Sequence, residues 1–446
     1  MANANYKHRA KLTAQQTIVT VGGTIAASNV FQIKVAGIVM AEFVATTTTI
    51  SHVVAGLVAA WNAQEHPYAR QVFATDEHAT SAGRLRLTAQ VAGPHFIITL
   101  SAAPGSSTFT TALSVRASSP YDAGCSDNWY DDGAFVPRTA VPADTADVLV
   151  FKGSDLPVLW GLADLSQPLA DFVHYASFIG RIGLYPRYFA ISADGTEVDT
   201  TVPEYRTTHL HVQLEGGDCG VGIPDGASLI GGGSPRVNLR IVTGANLVVD
   251  VHQDTSLGKD ADDQPATNLN IENGNGGVTC DLNVLGGSGM VGVGWIGNET
   301  CALRNVYIGP GAVNQRVLMG PNTDFQDLDC HAGTGHECHH RVSTQDFDVR
   351  AGASLRLRKS GTKINSITAY GTVTVEPFVA SGTEIGTVTV ESGGHVDMYP
   401  SELAAAVVVD ACTVKKGGSI KYDPGKTTFT ALTLGASGIP HTVAIS

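Results

Sequence analysis

The C-terminal half of the chain repeats, and this repeat limits the folds it can adopt. From Glu204 to Ser446, alternating apolar stretches run into a glycine turn and are followed by a second alternating stretch. The turns recur every 19–24 residues, or about twice that. This period is typical of the coils of a parallel β-helix, each made of three short strands. The turn glycines are Gly244, Gly287, Gly311, Gly352, Gly371, Gly394 and Gly418.

We therefore predict a right-handed parallel β-helix for residues 204–446, since parallel crossover connections are almost always right-handed. The alternating Val, Ile and Leu residues should stack inside, as at Val388, Val390 and Val414, with Thr, Arg, Lys and Asp outside. If the repeat is instead taken as about 43 residues long, a β-propeller remains the alternative.

Two shorter segments precede the repeat. Residues 1–105 predict a small ββαββ domain, with a strand at Thr17–Val21 and a helix at Ile50–Ala63 whose apolar residues share one face. Residues 106–203 are rich in aromatic residues and proline, which predicts irregular β-rich structure. We expect this segment to cap the β-helix, because an open solenoid end exposes core and strand edges.

Composition excludes several classes of protein. Only 15% of the residues are charged and the net charge is −13, which argues against a nucleic-acid partner. No apolar run is long enough to span a membrane, and the first residues, MANANYKHRAK, lack the apolar segment of a secretory signal. Seven cysteines, an odd number, indicate reduced thiols in a protein made in the cytoplasm.

The segment Thr17–Ser101 contains the sequences IVTVGGTIAASNVFQIKVAG and ATTTTISHVVAGLVAAWNA. This pattern of a glycine-flanked strand, a threonine-rich strand and an alanine-rich helix resembles a small domain of bacteriophage tail and baseplate proteins. The resemblance implies a virion protein, synthesised in the host cytoplasm, that contacts other virion proteins. The polar strand end usual in that domain is replaced here by Gly37–Met40, which suggests burial against another subunit or domain.

One short segment, Cys330–His340, concentrates possible metal ligands: four histidines and two cysteines. Its H-E-x-x-H match lacks the helical context of a zinc protease. On a strand, however, His336, Cys338 and His340 would face one side. With Cys330, or alternatively His331, they would form a tetrahedral zinc or iron site. The alternative is a polar loop that projects from one coil.

Two groups of carboxylates are weaker candidates. The first, in an insertion between coils, has the oxygen chemistry of a calcium site but not the spacing of an EF-hand, so a solvated loop is the alternative. It comprises Asp254, Asp260, Asp262 and Asp263. The second could supply the two carboxylates of a glycosidase. It comprises Asp327, Asp329, Asp346, Asp348, Glu391 and Asp397.

No catalytic constellation stands out, so we expect a non-enzymatic structural component of a phage or phage-like particle, in its tail, a fibre or spike, or the capsid surface. A polysaccharide-degrading tailspike and a bacterial surface adhesin are the alternatives. A thin β-helix leaves its side walls exposed, and the apolar run Ala404–Val409 needs cover, so we expect a homotrimer. A host-surface glycan is a further expected partner.

Overall fold

The protein is represented by a computed structural model. The structure describes residues 2–35, 37–66, 69–92, 96–103, 107–159, 168–183, 189–191, 197–199, 210–214, 217–225, 237–243, 245–252, 267–273, 279–287, 290–294, 301–312, 314–319, 323–331, 333–339, 346–360, 363–377, 383–398 and 406–435.

The first part of the chain contains eight strands, an α-helix and a short 3-10 turn at Ala69–Gln71. In chain order they are β1 (Ala2–Tyr6), β2 (Gln16–Gly23), β3 (Val30–Val35), β4 (Ile38–Val44), α1 (Ile50–Asn62), β5 (Val72–Asp76), β6 (Arg84–Ala89), β7 (Thr99–Ala103) and β8 (Ser107–Val115).

After a second 3-10 turn at Ser126–Asn128, the described residues form strands only. They are β9 (Trp129–Asp131), β10 (Asp147–Phe151), β11 (Pro168–Leu169), β12 (Asp171–Tyr175), β13 (Phe189–Ile191), β14 (Glu197–Asp199), β15 (Leu210–Leu214), β16 (Gly217–Ile223), β17 (Val237–Thr243), β18 (Leu247–His252), β19 (Thr267–Asn273), β20 (Cys280–Gly287), β21 (Met290–Val293), β22 (Cys301–Ala312), β23 (Arg316–Met319), β24 (Thr323–Cys330), β25 (Gly333–His339), β26 (Asp346–Val349), β27 (Ala353–Ser360), β28 (Lys363–Ala369), β29 (Thr372–Pro377), β30 (Thr383–Val390), β31 (His395–Met398), β32 (Val407–Val414), β33 (Ser419–Tyr422) and β34 (Thr427–Leu434).

Two long parallel sheets dominate the fold. From β15 onward, odd-numbered strands enter an 11-stranded sheet and even-numbered strands enter a 14-stranded sheet, so the chain alternates between the two. We call these the short sheet and the long sheet. Each strand pairs in parallel with the equivalent strand of the next pass, which is the arrangement of a β-solenoid and not that of the antiparallel blades of a propeller.

The pairing register gives the length of each coil. Val284 pairs with Ile308, Cys330 with Val349, and Val349 with Ala369, so these coils take 24, 19 and 20 residues. An earlier coil is longer, because Val251 pairs with Val284. The period read from the glycine turns therefore matches the C-terminal coils.

Long-sheet strands contain an internal corner. In β30, Ile385 and Val388 are both buried, although Gly386 and Thr387 between them face outward, so the two-residue alternation is broken once. β32 repeats the pattern around Asp410 and Ala411. Each such coil thus has three inward-facing stretches, two in the long sheet and one in the short sheet, as the repeat predicts.

A single hydrophobic core runs through the solenoid from Ala4 to Ile420. Val388, Val390 and Val414 are all fully buried, which confirms their predicted inward orientation. The run Ala404–Val409 is not the outward apolar patch that the sequence predicts, because among its described residues Val407 and Val409 are buried in this core and only Ala406 and Val408 are exposed.

The N-terminal strand β1 belongs to the solenoid. It pairs in parallel with β10 and antiparallel with β9, while β12 extends the same sheet from β10. Within this part of the core, aromatic rings pack with centroids 4.9–5.6 Å apart. The rings belong to Tyr6, Trp129, Phe151, Phe172 and Phe178.

The small domain lies between β1 and β9 in the sequence. It has a four-stranded sheet, β5-β6-β2-β8, and a three-stranded sheet, β4-β3-β7, around a core of its own. The helix predicted at Ile50–Ala63 spans Ile50–Asn62 and buries four apolar side chains, of which Trp61 donates from Nε1 to the Val72 carbonyl at 2.8 Å. The four-stranded sheet includes β8, which lies beyond residue 105, where the sequence analysis ends this domain.

The segment Gly37–Met40 enters β4 from a turn at Gly37, whose φ is +84°. Met40 is buried in the small-domain core, whereas Ile38 is half exposed. Within the ranges given above, no helix has the length and hydropathy that crossing a membrane requires.

Candidate functional site

Three of the four predicted metal ligands lie on two described strands, and the fourth, His340, follows the second of these strands in the sequence. Cys330 ends β24 in the long sheet, whereas His336 and Cys338 lie in β25 of the short sheet. His336 pairs with Leu355 and Cys338 with Leu357, so both side chains face the core, as alternation on a strand predicts. His340 lies outside the described residues.

His336, Cys330 and Cys338 are buried core side chains. His336 accepts a hydrogen bond at Nδ1 from the Gln315 backbone N–H at 3.3 Å. Burial raises the pKa of the Cys330 and Cys338 thiols to about 12, and a protonated thiol is a poor metal ligand. Among the described residues, no three His, Cys, Asp or Glu side chains are placed to hold a metal ion. The four-ligand site stays a prediction, because it requires His340.

The possible calcium ligands Asp254, Asp260, Asp262 and Asp263 lie outside the described residues. The candidate glycosidase carboxylates are divided between the two sheets. Glu391 follows β30 and binds Lys415 Nζ at 2.5 Å. Asp397 lies on β31 of the short sheet. The remaining four are on neighbouring strands of the long sheet.

These four carboxylates form a square that we call the aspartate square. Asp327 and Asp329 of β24 lie directly opposite Asp346 and Asp348 of β26, all on the outer face. Like charges placed directly opposite each other across neighbouring strands are destabilising. Partial burial, followed by the charges of Asp346 and Asp348, raises the pKa of Asp327.

Hydrogen bonds relieve part of this repulsion. The Arg350 guanidinium donates to both oxygens of Asp329, at 3.0 and 3.2 Å, and His331 Nε2 lies 2.9 Å from the same carboxylate. Asp346 accepts from Asn365 Nδ2 at 2.7 Å and from Ser366 Oγ at 2.5 Å. The square therefore combines two hydrogen-bonded carboxylates with Asp327, whose pKa is raised.

A groove of about 630 Å³ crosses the outer face of the short sheet, from β25 to β33. Its carboxylates each bind a cation: Glu337 lies 3.1 Å from Arg316 Nε, Glu376 contacts the Arg356 guanidinium, and Asp397 lies 3.6 Å from Lys421 Nζ. Glu337 and Glu376 are each only 9% exposed.

Among the residues that the structure describes, the lining of the groove is rich in polar side chains and has no aromatic ring. Ser354, Thr372 and Thr374 also line it. Such a surface can donate and accept hydrogen bonds but offers no ring for a sugar to stack on. Glu337 enters the sequence-based predictions only as part of the H-E-x-x-H match, and Glu376 does not enter them at all, although alternation with apolar neighbours such as Val375 indicates an outer face.

Comparison with protein-family models, with curated proteins and with solved structures finds no match for this chain.

Proposed function

We propose that this protein is a non-enzymatic structural component of a phage or phage-like particle, acting as a fibre, spike or surface protein in assembly or host attachment. The observation that carries the proposal is the uninterrupted ladder of parallel strands over one core, from Ala4 to Ile420. Because each coil is hydrogen-bonded to the next, such a ladder makes a stiff rod. We take its hand to be right-handed, as in parallel crossovers generally.

The outer surface supports a structural role. Charged side chains of neighbouring coils bind one another, as in Lys363–Glu384, Lys415–Glu391 and Lys421–Asp397. Each pair adds little stability by itself, since exposed ion pairs contribute about 0–1 kcal/mol. In the short-sheet groove, the carboxylates of Glu337, Glu376 and Asp397 are likewise engaged with cations of the same chain.

The two parts of the chain have separate tasks in this proposal. The small domain, whose sequence resembles a tail and baseplate domain, contacts other virion proteins, and the solenoid faces the host surface and its glycans. The chain assembles with copies of itself, and a homotrimer is the form that the sequence predicts. The virion is then its location after synthesis in the host cytoplasm.

Immunogold electron microscopy tests this proposal directly. Antibodies raised against the purified chain should label intact phage-like particles from the source cells at a fixed position, such as the tail tip. Label found only on cell envelopes, with clean particles, would instead support the adhesin alternative.

A second candidate function is cleavage of a polysaccharide. It is favoured by the aspartate square, where partial burial and the neighbouring charges of Asp346 and Asp348 raise the pKa of Asp327, the direction that a general acid requires. Release of reducing ends from host-surface polysaccharide would support it, provided that Asp327→Asn abolishes the release while Glu391→Gln, at a carboxylate outside the square, does not.

A further inference from the structure

The outermost strand of the small domain, β8, has unpaired backbone along one side. It is hydrogen-bonded to β2, and no other strand or bridge in the described part of the chain pairs with it. Every second residue of an edge strand turns its N–H and C=O away from the sheet. β8 therefore presents a row of donors and acceptors that another extended strand can satisfy.

The sequence of β8 lacks the features with which proteins usually protect such an edge. Exposed edges are normally short, charged or interrupted by proline. The nine residues of β8, STFTTALSV, contain neither a charge nor a proline, and most are exposed. The opposite edge of the same sheet, β5, has five residues and ends in Asp76.

The side chains of β8 continue the domain core past the edge of the sheet. Phe109 pairs with Val21 and Leu113 with Thr17, whose side chains are buried, so both face the inner side. Leu113 is nevertheless 57% exposed, because no further strand covers it. A strand added at this edge would bury it.

We propose that β8 pairs antiparallel with β8 of a second copy, joining two four-stranded sheets edge to edge. With the two Thr111 residues opposite each other, Phe109 of each copy lies opposite Leu113 of the other on the inner face. Thr110 lies opposite Ala112 on the outer face. The strand is thus complementary to itself, because Phe109 and Leu113 form apolar pairs, the threonines meet threonine or alanine, and no charges are opposed.

The position of the β-bulge limits this pairing. The β2–β8 register shifts between Gln16 and Thr17, opposite the residues that follow Leu113. The regular part of the edge thus ends at Leu113, which is the last residue that the Phe109–Leu113 pairing needs. The contact has two-fold symmetry, so it gives assemblies with an even number of chains. A trimer built through the solenoid would become a hexamer.

Charge-swap variants of the full-length chain test the proposal. Thr111→Lys or Thr111→Glu alone places like charges opposite each other and should weaken association at least tenfold in analytical ultracentrifugation. An equimolar mixture of the two should recover it. Thr75→Glu, at an exposed threonine on the opposite edge β5, is the matched control and should sediment like the wild type. Circular dichroism melting of each variant separates lost association from lost folding.

The wild-type chain should sediment as an even multiple of 46.4 kDa, and each Thr111 variant as half that multiple. Three results would overturn the proposal. The wild type could be a monomer or an odd-numbered oligomer at 100 µM. The folded Thr111 variants could associate as the wild type does. Finally, the mixture could fail to reassemble, which would mean that the two Thr111 residues do not lie opposite each other.

Discussion

The solenoid and the small domain bury their apolar side chains in different ways. In the solenoid, Val390 packs between Ala369 and Val414, each one coil away, and the same relation holds in every coil. In the small domain, β2 pairs with β6 and β8, which lie about 70 and 95 residues further along the chain. The solenoid core is therefore a stack of coils, in which a local defect can unfold some coils while others stay folded. The core of the small domain depends on contacts between residues distant in sequence, so it unfolds cooperatively as one unit.

The largest effect should follow from a charge placed in the stack. Val390→Asp buries an unpaired carboxylate between two apolar layers, and we expect a loss of about 5 kcal/mol in the free energy of unfolding. Urea denaturation followed by circular dichroism measures it. Thr389→Asp, its outward-facing neighbour, is the control and should change stability by less than about 0.5 kcal/mol. Equal losses in both variants would mean that the two faces of β30 do not differ.

A cavity in the small domain should cost less and should remain confined there. Trp61→Ala removes a fully buried indole and its hydrogen bond to Val72, at about 3–4 kcal/mol. Differential scanning calorimetry should show one lowered transition, with the solenoid transition unchanged. A shift of both transitions would show that the two cores unfold together.

Acid should destabilise the solenoid through a buried histidine. His174 is fully buried in the first coils, beside Phe178, and burial lowers its pKa to about 4. Unfolding lets it bind a proton at its ordinary pKa of about 6.5, so the folded state loses stability as the pH falls from about 6.5 to 4. The total is about 3 kcal/mol. His174→Gln should flatten this pH dependence in urea titrations; if the slope stays the same, other groups cause it.

The smallest effect should come from a surface pair between coils. Lys415→Ala removes the ion pair with Glu391 on an exposed edge of the stack, so we expect a change of no more than about 0.5 kcal/mol. The change should shrink further in 0.5 M salt, because exposed charges are screened. A loss above 2 kcal/mol would mean that these ladders, and not the core, hold the coils together.

Local patterns predict much of this fold. The glycine-marked period, the inward valines and the helix at Ile50–Asn62 all depend on residues close in sequence. The position of β1 in the long sheet does not depend on residues close in sequence. Its sequence, ANANY, has no strong apolar alternation, and its partners in β9 and β10 lie more than 120 residues away.

The sites were harder to predict than the fold. The six candidate carboxylates could be chosen as outward residues, but the pairing of Asp327 with Asp346 depends on one coil taking 19 residues, which the sequence gives only as a range. Glu337 and Glu376 look like ordinary surface residues until the short sheet brings β25 and β29 within reach of one groove.

The insertion of the small domain between β1 and β9 has a consequence for biosynthesis. Ala2–Tyr6 is made about 145 residues before Asp147–Phe151, its parallel partner, which at ribosomal speeds of 5–20 residues per second is a delay of about 7–30 s. The small domain has all its own strands within that interval and can fold on the nascent chain. The strand β1 stays without its parallel partner until β10 has been synthesised. The solenoid therefore grows from the already folded small domain toward the C-terminus as translation proceeds.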